Sequence, residues 1–203
     1  MDDFATLPGG IYVGTDGNDD VHANHDIPGS FDNLILTFQG NDTVHAGLGN
    51  DVVVTDDGQD QIFGGAGNDT LLAGDGNDQV HGGGGADLIL AGDGQDQVTG
   101  DGGNDTLIGG GGNDTLSGGD GHNEFVFESG FGKDVVMDFH SGDLLAIQSN
   151  INGLSITSAT DLVPHISGDA SSSVITLGQD TIKLIGISKA DLLGHLDQYV
   201  KIV

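Results

Sequence analysis

Aspartate recurs every nine residues, at Asp42, Asp51, Asp60, Asp69, Asp78, Asp87, Asp96, Asp105 and Asp114. Two residues before each stands a glycine: Gly40, Gly49, Gly58, Gly67, Gly76, Gly85, Gly94, Gly103 and Gly112. Two residues after each stands an aliphatic: Val44, Val53, Ile62, Leu71, Val80, Ile89, Val98, Leu107 and Leu116. Low complexity in Gly and Asp alone does not produce that third column. A strict short period means that each unit is one small piece of structure, which buries its apolar side only against its neighbours.

Nine residues supply one tight turn of about six residues and one strand of three. Two units make one coil, so residues i and i+18 stack as parallel strands about 4.8 Å apart. Glycines let the turn adopt positive φ. Asn41, Asn50, Asn68, Asn77, Asn104 and Asn113 suit the next position because Asn tolerates left-handed backbone. The aliphatic points inward. The expected fold class is all-β, a right-handed parallel β-roll with two nonapeptides per coil. At period 18 the aspartates form two edges, 42–60–78–96–114 and 51–69–87–105, with seven in-register pairs.

Composition agrees with this and excludes other classes. The 203 residues carry 32 acidic and 4 basic side chains, a formal charge of −28. The acid is aspartate except for Glu124 and Glu128. Such a chain is repelled by nucleic-acid phosphates and anionic membranes. No apolar run nears the ~18 residues of a membrane span. With no Cys there are no disulfides or thiolate sites. The Gly/Asp tract ends near 120–133, and all four Lys lie beyond it. The chain divides into a degenerate N-terminal region (1–39), the repeat roll (40–126) and a β-rich C-terminal cap (127–203).

Units such as GGAGNDTLL (64–72), AGDGNDQVH (73–81) and GGGGNDTLS (109–117) resemble the calcium-binding nonapeptide of the RTX (repeats-in-toxin, haemolysin-type) family. A weaker unit, GTDGNDDVH (14–22), lies upstream, beyond a break in the spacing at 23–39. The residues themselves call for a hard cation. Nine aliphatics are a thin core, and stacked carboxylates repel. Calcium accepts six to eight oxygens in flexible geometry, whereas magnesium wants a strict octahedron and zinc wants His or Cys. The resemblance implies about seven Ca²⁺ ions between successive coils. Each is held by an aspartate from each coil and by loop carbonyls of Gly47, Gly49, Gly65, Gly67, Gly74, Gly76, Gly83, Gly85, Gly92, Gly94, Gly110 and Gly112. Seven divalent ions bring −28 to −14. Asn123 replaces the aspartate of the last unit (118–126), so the 105–123 pair lacks one carboxylate and the roll is expected to end there.

The two faces differ. Outward positions on one read Val54, Leu72, Leu90, Ile108 and Val126, with Val52 and Leu88 beside them. The other carries Thr43, Gln61, Gln79, Gln97 and Thr115 beside His45, Phe63, His81, Thr99 and Ser117. An apolar strip is normally covered, so the cap, the N-terminal segment or a second copy is expected over it. His45 and His81 stand two coils apart, too far to share an ion.

Residues 123–148 resemble the segment that follows RTX repeats: Phe125-Val126-Phe127, then Gly132, Asp134, Val136, Asp138 and Phe139. Strands are predicted at 172–177 and 181–185 around Gly178-Gln179-Asp180. Ser188 with Asp191 suits a capping box opening a helix over 189–196. The N-terminus lacks a secretory signal pattern. The resemblance implies export by a type I route with Asp197–Val203 as the signal, and hence an extracellular protein. No HExxH or G-x-S-x-G is present, so no enzymatic activity is expected of this chain. The alternative is a non-catalytic module of a larger secreted enzyme, toxin or adhesin, with calcium-dependent binding of a glycan or partner.

Overall fold

The computed structural model describes residues 5–7, 10–23 and 32–203; part of the break in spacing therefore lies outside the described residues. Among them the chain forms two ten-stranded sheets. The first contains Val52–Gly58, Thr70–Gly76, Leu88–Gly94 and Thr106–Gly112 in parallel order. The second contains Thr43–Leu48, Gln61–Ala66, Gln79–Gly84, Gln97–Gly102 and Thr115–Ser117. Register between these strands is 18: Val53 pairs with Leu71, Leu71 with Ile89 and Ile89 with Leu107. Opposite them run Val44, Ile62, Val80, Val98 and Leu116. These nine aliphatics are at most 1% exposed, and they form the thin core of a parallel β-roll. The strands reach six or seven residues, not three, because ladder pairing continues into the turns, as between Gly74 and Gly92.

The sheets continue past 126. Glu124–Phe127 pairs with the preceding coil and with Leu144–Ile147, which pairs with Val200–Ile202. In the second sheet Lys133–Val136 joins Thr115–Ser117 to Asp180–Ile185. The cap thus adds strands to both sheets beyond the Asn123 unit. Phe125, Phe127 and Phe139 are buried there, with Phe127 packed edge-on against Phe131 and Phe139 against Tyr199. Ser172–Leu177 and Asp180–Ile185 form the expected antiparallel hairpin. Ser188 Oγ accepts the Asp191 N–H at 3.1 Å and donates to Asp191 Oδ2 at 2.6 Å. The helix it caps, Lys189–Gly194, is shorter than expected; His195 interrupts it before a second turn, Leu196–Tyr199.

Among the described residues the cap, one of the covers expected over the apolar strip, reaches it at one end, where Ile108 and Val126 line a cleft with Glu128, Gly130 and Phe131. Its strands join the sheets edge to edge, and Val54, Leu72, Leu90 and Ile108 are half-buried. Their burial comes from their own column, each aliphatic lying beside its counterpart one coil away. On the opposite face His22, His45, Phe63 and His81 stack nearly parallel, with ring centroids 4.5, 4.6 and 5.3 Å apart.

Candidate metal centres

Each repeat aspartate reaches back one coil. Oδ1 of Asp78 accepts the backbone N–H of Asp60, Oδ1 of Asp96 that of Asp78, and Oδ1 of Asp114 that of Asp96, at 2.8–3.0 Å. On the other edge Asp69, Asp87 and Asp105 accept from Asp51, Asp69 and Asp87 in the same way. This bond holds the carboxylate inside the turn, where the side chains are only 1–3% exposed.

The second oxygen is the informative one. Oδ2 of Asp42, Asp51, Asp60, Asp69, Asp78, Asp87, Asp96, Asp105 and Asp114 is buried with no hydrogen-bond partner. A buried, unpaired carboxylate oxygen is costly unless something positive meets it. Burial accordingly pushes these carboxyls up, to about 6 for Asp60, Asp69 and Asp105 and about 7 for Asp96. The neighbouring carboxylates in each column push the same way.

Carbonyl oxygens line the same turns. Those of Gly47, Gly49, Gly65, Gly67, Gly74, Gly76, Gly85, Gly92, Gly94 and Gly112 each point at the glycine one coil on. A side chain at Gly67 (φ 132°) would collide with the carbonyl of Gly49, and one at Gly85 (φ 140°) with that of Gly67. Gly83 shares the first of these columns, and Gly110 follows Gly92 in register. The carbonyls of Gly40, Gly58 and Gly103 occupy the same columns, as the glycine spacing implies.

The columns extend further than the nonapeptide spacing indicates. Asp19 donates its N–H to Asp42 Oδ1 at 2.8 Å, and Asp114 donates to Asp134 Oδ1 at 3.0 Å. Oδ2 of Asp134 is likewise buried and unpartnered, and burial raises its pKa to about 8. The signal for both was the Gly-x-Asp order, in Gly17-Asn18-Asp19 and Gly132-Lys133-Asp134, hidden by spacings of 23 and 20. On the second edge Asn33 stands before Asp51 in the column, which continues through Asn123 to Asp143.

The asparagines before the aspartates differ from expectation. They are absent from the positive-φ residues. Their side-chain oxygens instead accept the N–H of the equivalent residue one coil on, as Asn50 does from Asn68 and Asn68 from Ala86, both at 2.7 Å.

Among the described residues no three carboxylates or imidazoles gather into a cluster. Any ion here must be held by one carboxylate per coil together with carbonyls. That hard, all-oxygen donor set with unpaired carboxylate oxygens fits calcium and does not fit zinc.

A family model for the RTX calcium-binding nonapeptide repeat (four copies) matches residues 29–53, 36–71, 54–89, 63–98, 90–125 and 99–136. Together these run unbroken from 29 to 136, more than half of the chain. No curated protein sequence matches significantly. Among solved structures, the extracellular lipase LipA from Serratia marcescens is similar at 21% identity with a TM-score of 0.40. The match covers 97% of this chain and 41% of the lipase chain.

Proposed function

The chain belongs to the family of RTX calcium-binding nonapeptide repeats, and on that premise we propose that it is a secreted protein or module whose roll folds by binding calcium between coils. The observation that carries this reading is the double column of buried Oδ2 atoms without a partner. Asp42, Asp51, Asp60, Asp69, Asp78, Asp87, Asp96, Asp105 and Asp114 would hold the ions together with the glycine carbonyls, in about seven sites. Asp19 and Asp134 add one pair at each end of the first edge, for up to nine carboxylate pairs.

Calcium supplies the positive charge that the stacked carboxylates lack. Without it, ionised aspartates in the turns oppose folding, and the many glycines favour the unfolded chain. A ligand that binds only the folded form pulls the equilibrium over in proportion to its concentration. Low free calcium in the cytosol and abundant calcium outside thus separate an unfolded export form from a folded extracellular one. In the folded cap Val200–Ile202 is a paired strand, so a signal over Asp197–Val203 is available only before folding.

Calcium titration with circular dichroism and calorimetry tests the reading. The expected result is little ordered structure in chelator, cooperative gain of β-structure with calcium, and binding of about seven to nine ions. A roll fully formed in chelator would overturn it.

A further inference from the structure

We propose that Asn123 is a built-in terminator of the second calcium column, its carboxamide standing where the preceding turns of that column, at Asp69, Asp87 and Asp105, each present a carboxylate oxygen to a cation. The inference rests on the calcium reading above and goes beyond it, because it assigns unequal ion loads to the two edges.

Beside Gly64, Gly82 and Gly100 stand Oδ2 of Asp69, Asp87 and Asp105; beside Gly118 stands Nδ2 of Asn123. The amide cannot simply turn over. The buried N–H of Asp105 donates to Asn123 Oδ1 at 3.0 Å, the same bond that each aspartate makes. Turning the amide would set two donors against each other. The NH₂ group is therefore fixed facing the site, buried, with no protein partner. It presents two N–H donors, which repel a cation and select a hydrogen-bond acceptor.

One coil further the difference becomes complete. Asp143 Oδ1 accepts the Asn123 N–H at 3.0 Å, and its Oδ2 accepts the His140 N–H at 2.9 Å. His140 Nδ1 stands 3.1 Å from the same oxygen. The protein alone satisfies both oxygens of this last carboxylate, whereas on the first edge Asp134 keeps an unpaired Oδ2. Before Asp51 the same column holds a second amide in place of a carboxylate: Asn33 donates its N–H and its Nδ2 to Asp51 Oδ1, at 2.7 and 2.9 Å. Four carboxylates, Asp51, Asp69, Asp87 and Asp105, thus lie between two amides and form three pairs. The first edge runs Asp19, Asp42, Asp60, Asp78, Asp96, Asp114, Asp134 and forms six.

Calcium stoichiometry of the full chain, by equilibrium dialysis and calorimetry, tests this. Asn123→Asp is expected to bind at least one more ion than wild type. Should that variant not fold, Asp105→Asn and Asp87→Asn decide the matter. Asp105 belongs to one pair and Asp87 to two, so the expected losses are one ion and two. Unchanged stoichiometry in Asn123→Asp, or equal losses of two in the other variants, overturns the inference alone. A wild-type chain that binds no calcium overturns the proposed function and the inference with it.

Discussion

The backbone N–H of Asp60 donates to Oδ1 of Asp78 at 2.8 Å, while Oδ2 of the same carboxylate is buried without a partner. One side chain thus does two separable jobs: it fastens adjacent coils, and it offers an oxygen to a cation.

Asp78→Asn and Asp78→Ala separate these jobs. Asn keeps an acceptor for the Asp60 N–H but loses the charged ligand, so calcium stoichiometry should fall while the loaded roll still forms. Ala also leaves that N–H unpaired, a further cost of about 1–3 kcal/mol. Calorimetric titration and thermal melting at fixed calcium read both effects. Identical behaviour of the two variants would contradict the division.

Acid should partly replace calcium. Folded carboxyl pKa values of about 6 for Asp60, Asp69 and Asp105, about 7 for Asp96 and about 8 for Asp134 lie above the ordinary value of 3.8. A group raised on folding contributes stability below its unfolded pKa and loses it as pH rises through the folded one. In chelator, β-structure should therefore be greatest near pH 4 and decline between about pH 6 and 8. Circular dichroism across that range checks it; more order at pH 8 than at pH 5 is the contrary result. Calcium affinity should fall over the same descent in pH, since protons compete for the ligands.

Gly67→Ala or Gly85→Ala places a methyl against a carbonyl of the preceding coil at a left-handed backbone position. Strain of that kind costs about 1–3 kcal/mol. With about seven ions bound on folding, the calcium concentration at half-folding should rise by up to about twofold. Gly84→Ala is the control, because a methyl there meets nothing within 4 Å.

Leu71 and Leu72 are adjacent and point to opposite sides. Leu71 is fully buried in the thin core, and Leu72 is half-buried on the outer strip. Leu71→Ala should cost about 2–5 kcal/mol, and Leu72→Ala clearly less. Melting of the calcium-loaded variants ranks them.

Much of this was legible in the chain. The period of nine determined that Val53, Leu71, Ile89 and Leu107 share one inward column and that Asp60, Asp78 and Asp96 share one edge, because a two-unit coil leaves stacking at i+18 as the register. The glycines that permit close carbonyl approach, the hairpin at Gly178-Gln179 and the Ser188 cap were also readable, each from local backbone chemistry. Three-dimensional packing decided what depends on irregular spacing. Asp19 and Asp134 enter the first column across intervals of 23 and 20 residues, because the N–H to Oδ1 bond keeps its place while the chain between lengthens. Only the fold shows that the asparagines form a hydrogen-bonded ladder, and that the cap prolongs the sheets. Only there does Asn123 become more than a missing carboxylate: its orientation is set by an N–H from another coil, a contact that sequence spacing places nearby but cannot orient.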